Sequence, residues 1–235
     1  CRNKTPAQSN AAQTAAQLET LLRDAPNASI ITPGDHVYEN GTAQEYSDCY
    51  SPTWGRFKQK TFPAPGNHDY HTPLAASYYD YFGARAGPER RGYYSFDVAG
   101  WHVVSLNSNI ADDNGAEQIK WLREDLAASN TRCTIAYWHH ALFTSSLRGN
   151  NRMMKTAWKI LHEAGADIVL SAHDHHYERF IPQDAEGNAD ITRGVREFLV
   201  GTGGANLSPV IDPPRQNSEV QITRTFGVLR LDLQE

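Results

Sequence analysis

Three histidines and an acid stand together in the stretch SAHDHHYER, from Ser171 to Arg179. The apolar run Ala166 to Leu170 precedes it and has the length and composition of a buried strand. Residues two apart in an extended segment point to the same side, so we expect His173 and His175 to converge on one site. Imidazoles at the carboxyl end of a strand are typical of a metal or ligand site in an open α/β sheet. The alternative is a polar turn that is simply rich in histidine.

Polar side chains also follow two earlier predicted strands. Asp35 lies in GDHVY, just past a short apolar strand, where its two oxygens can bridge two cations. The motif FPAPGNHD presents Asn67, His68 and Asp69 in a turn shaped by its prolines and glycine. An asparagine oxygen is a neutral metal ligand, and a histidine held off the metal can donate a proton to a leaving group. We therefore predict that His68 is a general acid and that Asp69 orients its imidazole, the alternative being ordinary polar turns.

A fourth candidate is the histidine pair His139 and His140, which ends the predicted strand Cys133 to Trp138. Taken alone, such a pair is more often a buried, hydrogen-bonded feature than a metal ligand. Its place in a series of polar strand ends favours a role in the same site.

The elements that must position these residues alternate between helix and strand. We predict helices from Ser9 or Asn10 to about Asp24, from Gly115 to Ala128 and from Asn150 to Glu163. Strands are predicted at Ala28–Thr32, Tyr93–Val98, Trp101–Leu106, Cys133–Trp138, Ala166–Leu170, Arg196–Val200 and Phe226–Leu233. A helix that feeds a strand is the second half of a βαβ unit, so its first strand is expected upstream of Cys1.

Composition limits the possible classes of protein. The chain has 235 residues, 40% of them hydrophobic, which predicts one domain over residues 1–235 with one sizeable core. A net charge of -5 and the lack of a lysine- or arginine-rich run argue against binding of a nucleic-acid polymer. No apolar segment approaches the roughly 18 residues of a membrane span. Cys1, Cys49 and Cys133 lack metal-site spacing, which leaves open one disulfide with a free thiol or three thiols.

The ordered blocks GDHVY, GNHD, WHH and AHDHHYER resemble the signature blocks of the calcineurin-like metallophosphoesterases. The tyrosine of GDHVY and the HxHxYER pattern resemble the purple acid phosphatase branch, and the resemblance runs from about Gly34 to Arg179. It implies an α/β fold, a four-layer αββα sandwich of two mixed sheets, with two metal ions at the carboxyl ends of the strands. Asp35 would bridge the ions, Tyr38 and His175 would bind the first, and the second would be held by Asn67, His139 and His173. His139 is chosen over His140 because the family carries a single ligand there.

The resemblance also sets expectations for the metals and for the ends of the domain. A tyrosinate ligand favours Fe(III), with Zn, Mn or Fe(II) as the second ion. The family's first block supplies a further Asp ligand and is absent here, so we expect the domain to be truncated at its N-terminus. Whether it continues beyond Glu235 stays open.

The function implied by the resemblance is hydrolysis of small phosphate monoesters, with two cations that neutralise phosphoryl oxygens and activate water. Arg148, Asn150 and Asn151, in the loop after the His139 strand, are expected to touch the phosphate. The alternatives are a phosphodiesterase for nucleotides or phospholipid head groups, and a metal-poor protein that acts as a binding module. The resemblance and the start at Cys1 suggest a secreted or periplasmic protein, and the oligomeric state is not predicted.

Overall fold

Two β-sheets of unequal size face each other in the structure, a computed structural model that describes residues 5–110 and 115–234. The strands in chain order are β1 (Ile30–Pro33), β2 (Thr61–Ala64), β3 (Tyr94–Val98), β4 (Trp101–Ser105), β5 (Cys133–His140), β6 (Ile168–Ala172), β7 (Tyr177–Phe180), β8 (Arg196–Val200) and β9 (Ser218–Ile222). The large sheet has the order β3-β4-β5-β6-β8-β7-β9, and β1 pairs with β2 in parallel. Strands β4, β5, β6 and β8 are parallel, whereas β3, β7 and β9 pair antiparallel with their neighbours. The predicted α/β fold with two packed sheets is confirmed, although the described part of the small sheet is a purely parallel pair.

The helices are α1 (Asn10–Asp24), α2 (Ala43–Glu45), α3 (Ala76–Phe82), α4 (Ala116–Ala128) and α5 (Lys155–Ala164). The hydroxyl of Ser9 accepts a hydrogen bond from the backbone N–H of Ala12, which caps α1 as predicted. Helix α5 starts later than predicted because the Asn151 side chain accepts from Met153 N and caps a short 3₁₀ turn first. None of the helices among the described residues has the length and apolar character needed to cross a membrane.

Apolar side chains on both faces of the large sheet explain the layered arrangement. On one face, Trp138 of β5 and Trp158 of α5 belong to a buried cluster that α4 and α5 cover. On the other face, Val103 and Ile135 pack toward Ala64 of the small sheet. A buried side chain of this size contributes roughly 1.5–3 kcal/mol to folding. The first cluster therefore holds α4 and α5 on the large sheet, and the second holds the two sheets face to face.

The strand predicted at Phe226–Leu233 is absent from the described structure, and this prediction is wrong. The expected alternation exists, because Leu229, Leu231 and Leu233 pack against the cluster between the sheets. This C-terminal segment, residues 226–234, and the free edge of β1 both line a cavity of about 770 Å³. The backbone of this segment joins no ladder with the described strands.

Two strands, β7 and β9, were not predicted because their sequences lack a clear apolar alternation. Tyr177–Phe180 carries charged residues at its centre, and one of them, Glu178, is fully buried and hydrogen-bonded. Among the cysteines, Cys49 is disulfide-bonded and Cys133 is a free thiol, which removes the alternative of three thiols. Cys1 lies outside the described residues.

Candidate metal centre

The predicted site residues meet at one edge of the two sheets. Asp35 follows β1, Asn67 follows β2, His139 lies at the end of β5, and His173 follows β6. Because β1 and β2 are parallel, as are β5 and β6, their carboxyl ends lie together. The convergence expected from the sequence is therefore present in the fold.

The turns that carry these side chains approach each other closely, and two glycines allow it. A Cβ atom on Gly66 would lie 2.2 Å from Asp35 Oδ1, and one on Gly34 would lie 2.5 Å from His139 Nδ1. Gly34 also has a φ of +96°, a region that other residues rarely occupy. Asp35 itself has a φ of +56°, which turns its carboxylate toward the strands of the large sheet.

Four potential ligand atoms form the first compact group. His139 Nε2 lies 3.2 Å from Asp35 Oδ2 and 3.1 Å from Asn67 Oδ1. His173 Nδ1 lies 2.9 Å from Asn67 Oδ1 and 3.2 Å from His139 Nε2. Ligands that stand at right angles about 2.1 Å from one cation are about 3 Å apart, so these four atoms suit a single metal ion. Carboxylate, amide and imidazole donors of this kind are common metal ligands.

A second group shares Asp35 with the first. The Tyr38 hydroxyl lies 3.4 Å from Asp35 Oδ2 and 3.3 Å from His175 Nε2. Asp35 Oδ2 is therefore within reach of both groups, which is the position a bridging carboxylate needs. The residues that the sequence assigned to two metals are thus gathered around one carboxylate.

The electrostatics of the first group keep Asp35 ionised and His173 neutral, the forms that bind metal. Burial by itself would raise the pKa of Asp35, but the charge and hydrogen bond of His139 outweigh it and lower that pKa well below its usual range. Burial would lower the pKa of His139, yet the Asp35 carboxylate raises it. Burial, together with the charges of His139 and Arg148, lowers the pKa of His173 to about 3. An ionised carboxylate beside a neutral His173 is what a cation requires.

His140 is the alternative to His139 as a ligand. Ring nitrogens of His139, His140 and His173 all lie within 4.8 Å of one another, which makes these three a possible metal cluster as well. His140, however, is held by Ser108, whose hydroxyl lies 2.9 Å from His140 Nδ1. His139 contacts the other proposed ligands Asp35 and Asn67, which favours His139, and that choice remains a prediction.

His68 lies at the rim of the site with its imidazole fixed by the backbone. Its Nδ1 donates to the Glu39 carbonyl at 2.6 Å, and its ring stands 4.6 Å from the ring of Tyr38, centroid to centroid. A carbonyl can only accept, so Nδ1 carries the hydrogen and Nε2 is the nitrogen left for a substrate. His71, to which the sequence gave little weight, donates to the same carbonyl at 2.8 Å.

The predicted role of Asp69 as the residue that orients His68 is wrong. Within the described part of the chain, Asp69 Oδ1 accepts from the Tyr46 hydroxyl at 2.5 Å, and Oδ2 accepts from Gly66 N and from Asp35 N at 2.8 and 3.1 Å. The turn directs Asp69 into the core, where it is fully buried, while His68 points outward. Asp69 instead ties the two ligand-bearing turns together.

His36 completes this support and was missed by the sequence analysis. Its Nδ1 lies 3.1 Å from Asp69 Oδ2, and its side chain is 1% exposed. The only signal available was its position next to Asp35 in GDHVY.

The reason given for the convergence of His173 and His175 is also corrected. The segment is not extended there, since His173 has a φ of +62°. The chain bends sharply after β6, and this bend directs His173 toward Asn67 and His175 toward Tyr38. The two imidazoles reach the site, but by a turn and not by strand alternation.

The loop after β5 brings an arginine to the same place. Arg148 Nη1 lies 2.9 Å from His173 Nε2. Asn150 and Asn151, expected to touch phosphate, use their side-chain oxygens to accept from Thr144 N and Met153 N. They therefore shape the loop, and their contact with phosphate remains a prediction.

Comparisons with known proteins agree with this arrangement. The profile of the family described as calcineurin-like phosphoesterase matches residues 8–177. Purple acid phosphatase 15 of Arabidopsis thaliana is 31% identical over 199 residues, which covers 68% of this chain and 37% of that protein. This chain thus spans well under half the length of that relative.

Solved structures show the same fold. The purple acid phosphatase PPD1 from yellow lupin (Lupinus luteus) seeds superposes with a TM-score of 0.74 at 17% identity, covering 95% of this chain and 44% of that one. GAP50, the anchor in the inner membrane complex of Plasmodium, gives 0.71 at 11% identity, covering 92% of this chain and 74% of that one. With the profile match over most of its length, the chain belongs to the calcineurin-like phosphoesterase family and is similar to its purple acid phosphatases.

Proposed function

We propose that this protein is a metal-dependent phosphomonoesterase of the acid phosphatase type. The observation that carries the proposal is the position of Asp35 Oδ2, 3.2 Å from His139 Nε2 and 3.4 Å from the Tyr38 hydroxyl. A carboxylate shared by two ligand groups is suited to bridge two cations, and membership of the phosphoesterase family supports a hydrolytic role.

Each cation would have its own ligands in addition to Asp35. Asn67, His139 and His173 would hold one ion, for which Zn, Mn or Fe(II) suits the mixed oxygen and nitrogen donors. Tyr38 and His175 would hold the other, where a phenolate favours Fe(III). The chemistry that such a pair supplies when bound is charge neutralisation at the phosphoryl oxygens and activation of a water molecule.

The protein's own residues would place the substrate and deliver a proton. We assign proton donation at the leaving-group oxygen to the imidazolium form of His68: the Glu39 carbonyl holds Nδ1–H, and Nε2–H gives up its proton to leave the neutral imidazole. Asp69 would act as a positioning residue, since it binds the backbone N–H groups of Asp35 and Gly66. The substrate would be a small phosphate ester.

Metal analysis and two aryl phosphates test the proposal on the full-length protein. We expect about two metal ions per chain, visible absorption from an Fe(III) phenolate, and faster hydrolysis of 4-nitrophenyl phosphate than of bis(4-nitrophenyl) phosphate. Asp35→Asn should lower the metal content, whereas the exposed Asp80→Asn should not. Faster hydrolysis of the diester would favour a phosphodiesterase. A metal content well below one ion per chain, together with no turnover, would favour a binding module. That role would resemble the anchor role named for GAP50.

We also propose that the protein works outside the cytosol. The disulfide at Cys49 supports this location, because structural disulfides persist mainly in oxidising compartments. Thiol labelling of the protein taken directly from its source, before and after reduction, would test it. A Cys49 that labels fully before reduction would contradict the proposal.

A further inference from the structure

A cavity of about 230 Å³ lies beside the candidate metal centre, on the Nε2 side of the His173 ring. Its wall is the loop from Arg148 to Arg152, and His173 and Asp174 line its other side. The loop is braced from behind, because Ser146 accepts from Arg148 N through its hydroxyl and from Gly149 N through its carbonyl. The cavity is therefore preformed. It shares one residue with the candidate metal centre, the proposed metal ligand His173.

Asp174 is an unusual lining residue for such a cavity. It is only 3% exposed, yet its Oδ1 has no hydrogen-bond partner among residues 5–110 and 115–234. A buried carboxylate is costly unless a donor satisfies it. The Asp174 carboxylate lines the cavity and has no donor among the described residues, so a ligand in the cavity can supply one.

Two arginines face the same space without acidic partners. One nitrogen of the Arg148 guanidinium lies 2.9 Å from His173 Nε2, and its other N–H groups remain available. Within the described chain Arg152 makes no ion pair or hydrogen bond through its side chain, and neither arginine pairs with Asp174. The three side chains together give the cavity a net charge of about +1, with donors on one wall and an acceptor on the other.

We propose that this cavity is a subsite for the leaving group and that it takes a small hydroxy acid. The carboxylate of the acid would lie against Arg148 and Arg152, and a hydroxyl would donate to Asp174. A hydroxy acid carries one negative charge and so complements the cavity, whereas a zwitterionic amino acid offers a donor without net charge. The volume is below that of a typical drug-sized pocket, which restricts the ligand to a few carbon atoms. This inference rests on the proposed function. It defines the substrates as phosphate monoesters of small hydroxy acids that keep a second, free hydroxyl for Asp174.

Binding of the free acid tests the subsite without any hydrolysis. Isothermal titration calorimetry would be run with glycerate on the full-length protein after metal removal by a chelator. We expect glycerate to bind more tightly than glycerol, which lacks the carboxylate, than propanoate, which lacks the hydroxyls, and than serine. Arg152→Gln and Asp174→Asn should each weaken glycerate binding roughly tenfold, the effect of losing one charged hydrogen bond. Arg193→Gln removes an exposed arginine outside the cavity and should leave glycerate binding unchanged.

Turnover on two substrates separates this proposal from the proposed function. The ratio of kcat/KM for 3-phosphoglycerate to that for phenyl phosphate should fall about tenfold in Arg152→Gln. If no probe binds the chelated protein, the cavity holds water only and the subsite is refuted. Tighter binding of serine than of glycerate refutes the choice of a hydroxy acid. If glycerate binds with the expected dependence on Arg152 while phenyl phosphate is not hydrolysed, the subsite stands and the proposed function fails.

Discussion

Replacement of Glu197 by glutamine should remove a large part of the pH dependence of folding stability. Glu197 lies on β8 and is fully buried, where its carboxyl accepts from the Ser171 hydroxyl at 2.8 Å and from Phe143 N at 3.1 Å. Burial, aided by the negative charge of Glu178, raises the pKa of Glu197 to about 8. The side chain is thus mainly protonated in the folded protein at neutral pH and ionised in the unfolded chain.

The sign and size of the effect follow from the two pKa values. The pKa rises on folding from 4.5 to about 8, so the stabilising contribution is complete below pH 4.5 and is lost as the pH rises through 8. Between about pH 5 and about pH 8 the loss amounts to about 3 kcal/mol. Glutamine has the same shape and no proton to lose. Relative to the wild type, the free energy of unfolding of Glu197→Gln should therefore increase by about 3 kcal/mol over that range.

Urea denaturation followed by circular dichroism, at several pH values between these limits, measures the difference between variant and wild type. Subtraction removes the contribution of histidines and other groups that titrate in the same range. Glu117→Gln, an exposed glutamate, is the matched control and should give a flat difference. A flat difference for Glu197→Gln as well would show that Glu197 is ionised in the folded protein and would refute the reasoning.

Three further predictions concern the candidate metal centre. His68→Ala should lower turnover of an aryl phosphate by about 10²–10⁴-fold with metal content retained. His71→Ala loses a contact with the same carbonyl and should have little effect. Unchanged turnover in His68→Ala would exclude proton donation by His68. Tyr38→Phe should abolish the visible absorption of the metal-loaded protein, and a spectrum that survives would assign the band to another ligand. Asp69→Asn should lower the free energy of unfolding by about 2–4 kcal/mol in denaturant titrations, because an amide nitrogen cannot accept from the donors that surround the buried carboxylate. A change within about 0.5 kcal/mol would contradict the role of Asp69 in holding the two ligand-bearing turns together.

Much of the candidate site was accessible from the sequence because its members stand directly after short apolar strands. The gathering of Asp35, Asn67, His139 and His173 follows from the rule that parallel strands end at one edge of a sheet. Side-chain direction was less accessible, as the turn at His173 shows. A φ of +62° depends on how the chain leaves β6 and not on any local periodicity.

Pairings over long distances in the chain were beyond the sequence. The hydrogen bonds of Asp69 with Tyr46 and with Asp35 N join residues 23 and 34 positions apart, and local pattern contains no information on such partners. The strand predicted at Phe226–Leu233 failed for a related reason, because alternation specifies which side chains face inward but not whether a neighbouring backbone is close enough to pair.

The sequence by itself determined the family, the α/β class, most helices and strands, and the identity of the residues able to bind metal, since each of these depends on residue type and local spacing. Only the tertiary structure decided that Asp35 lies between two ligand groups, that a backbone carbonyl and not Asp69 fixes His68, and that an unpaired Asp174 shares a cavity with two arginines. Each of these findings depends on distances between segments that are remote in the chain, and the packing of the two sheets sets those distances.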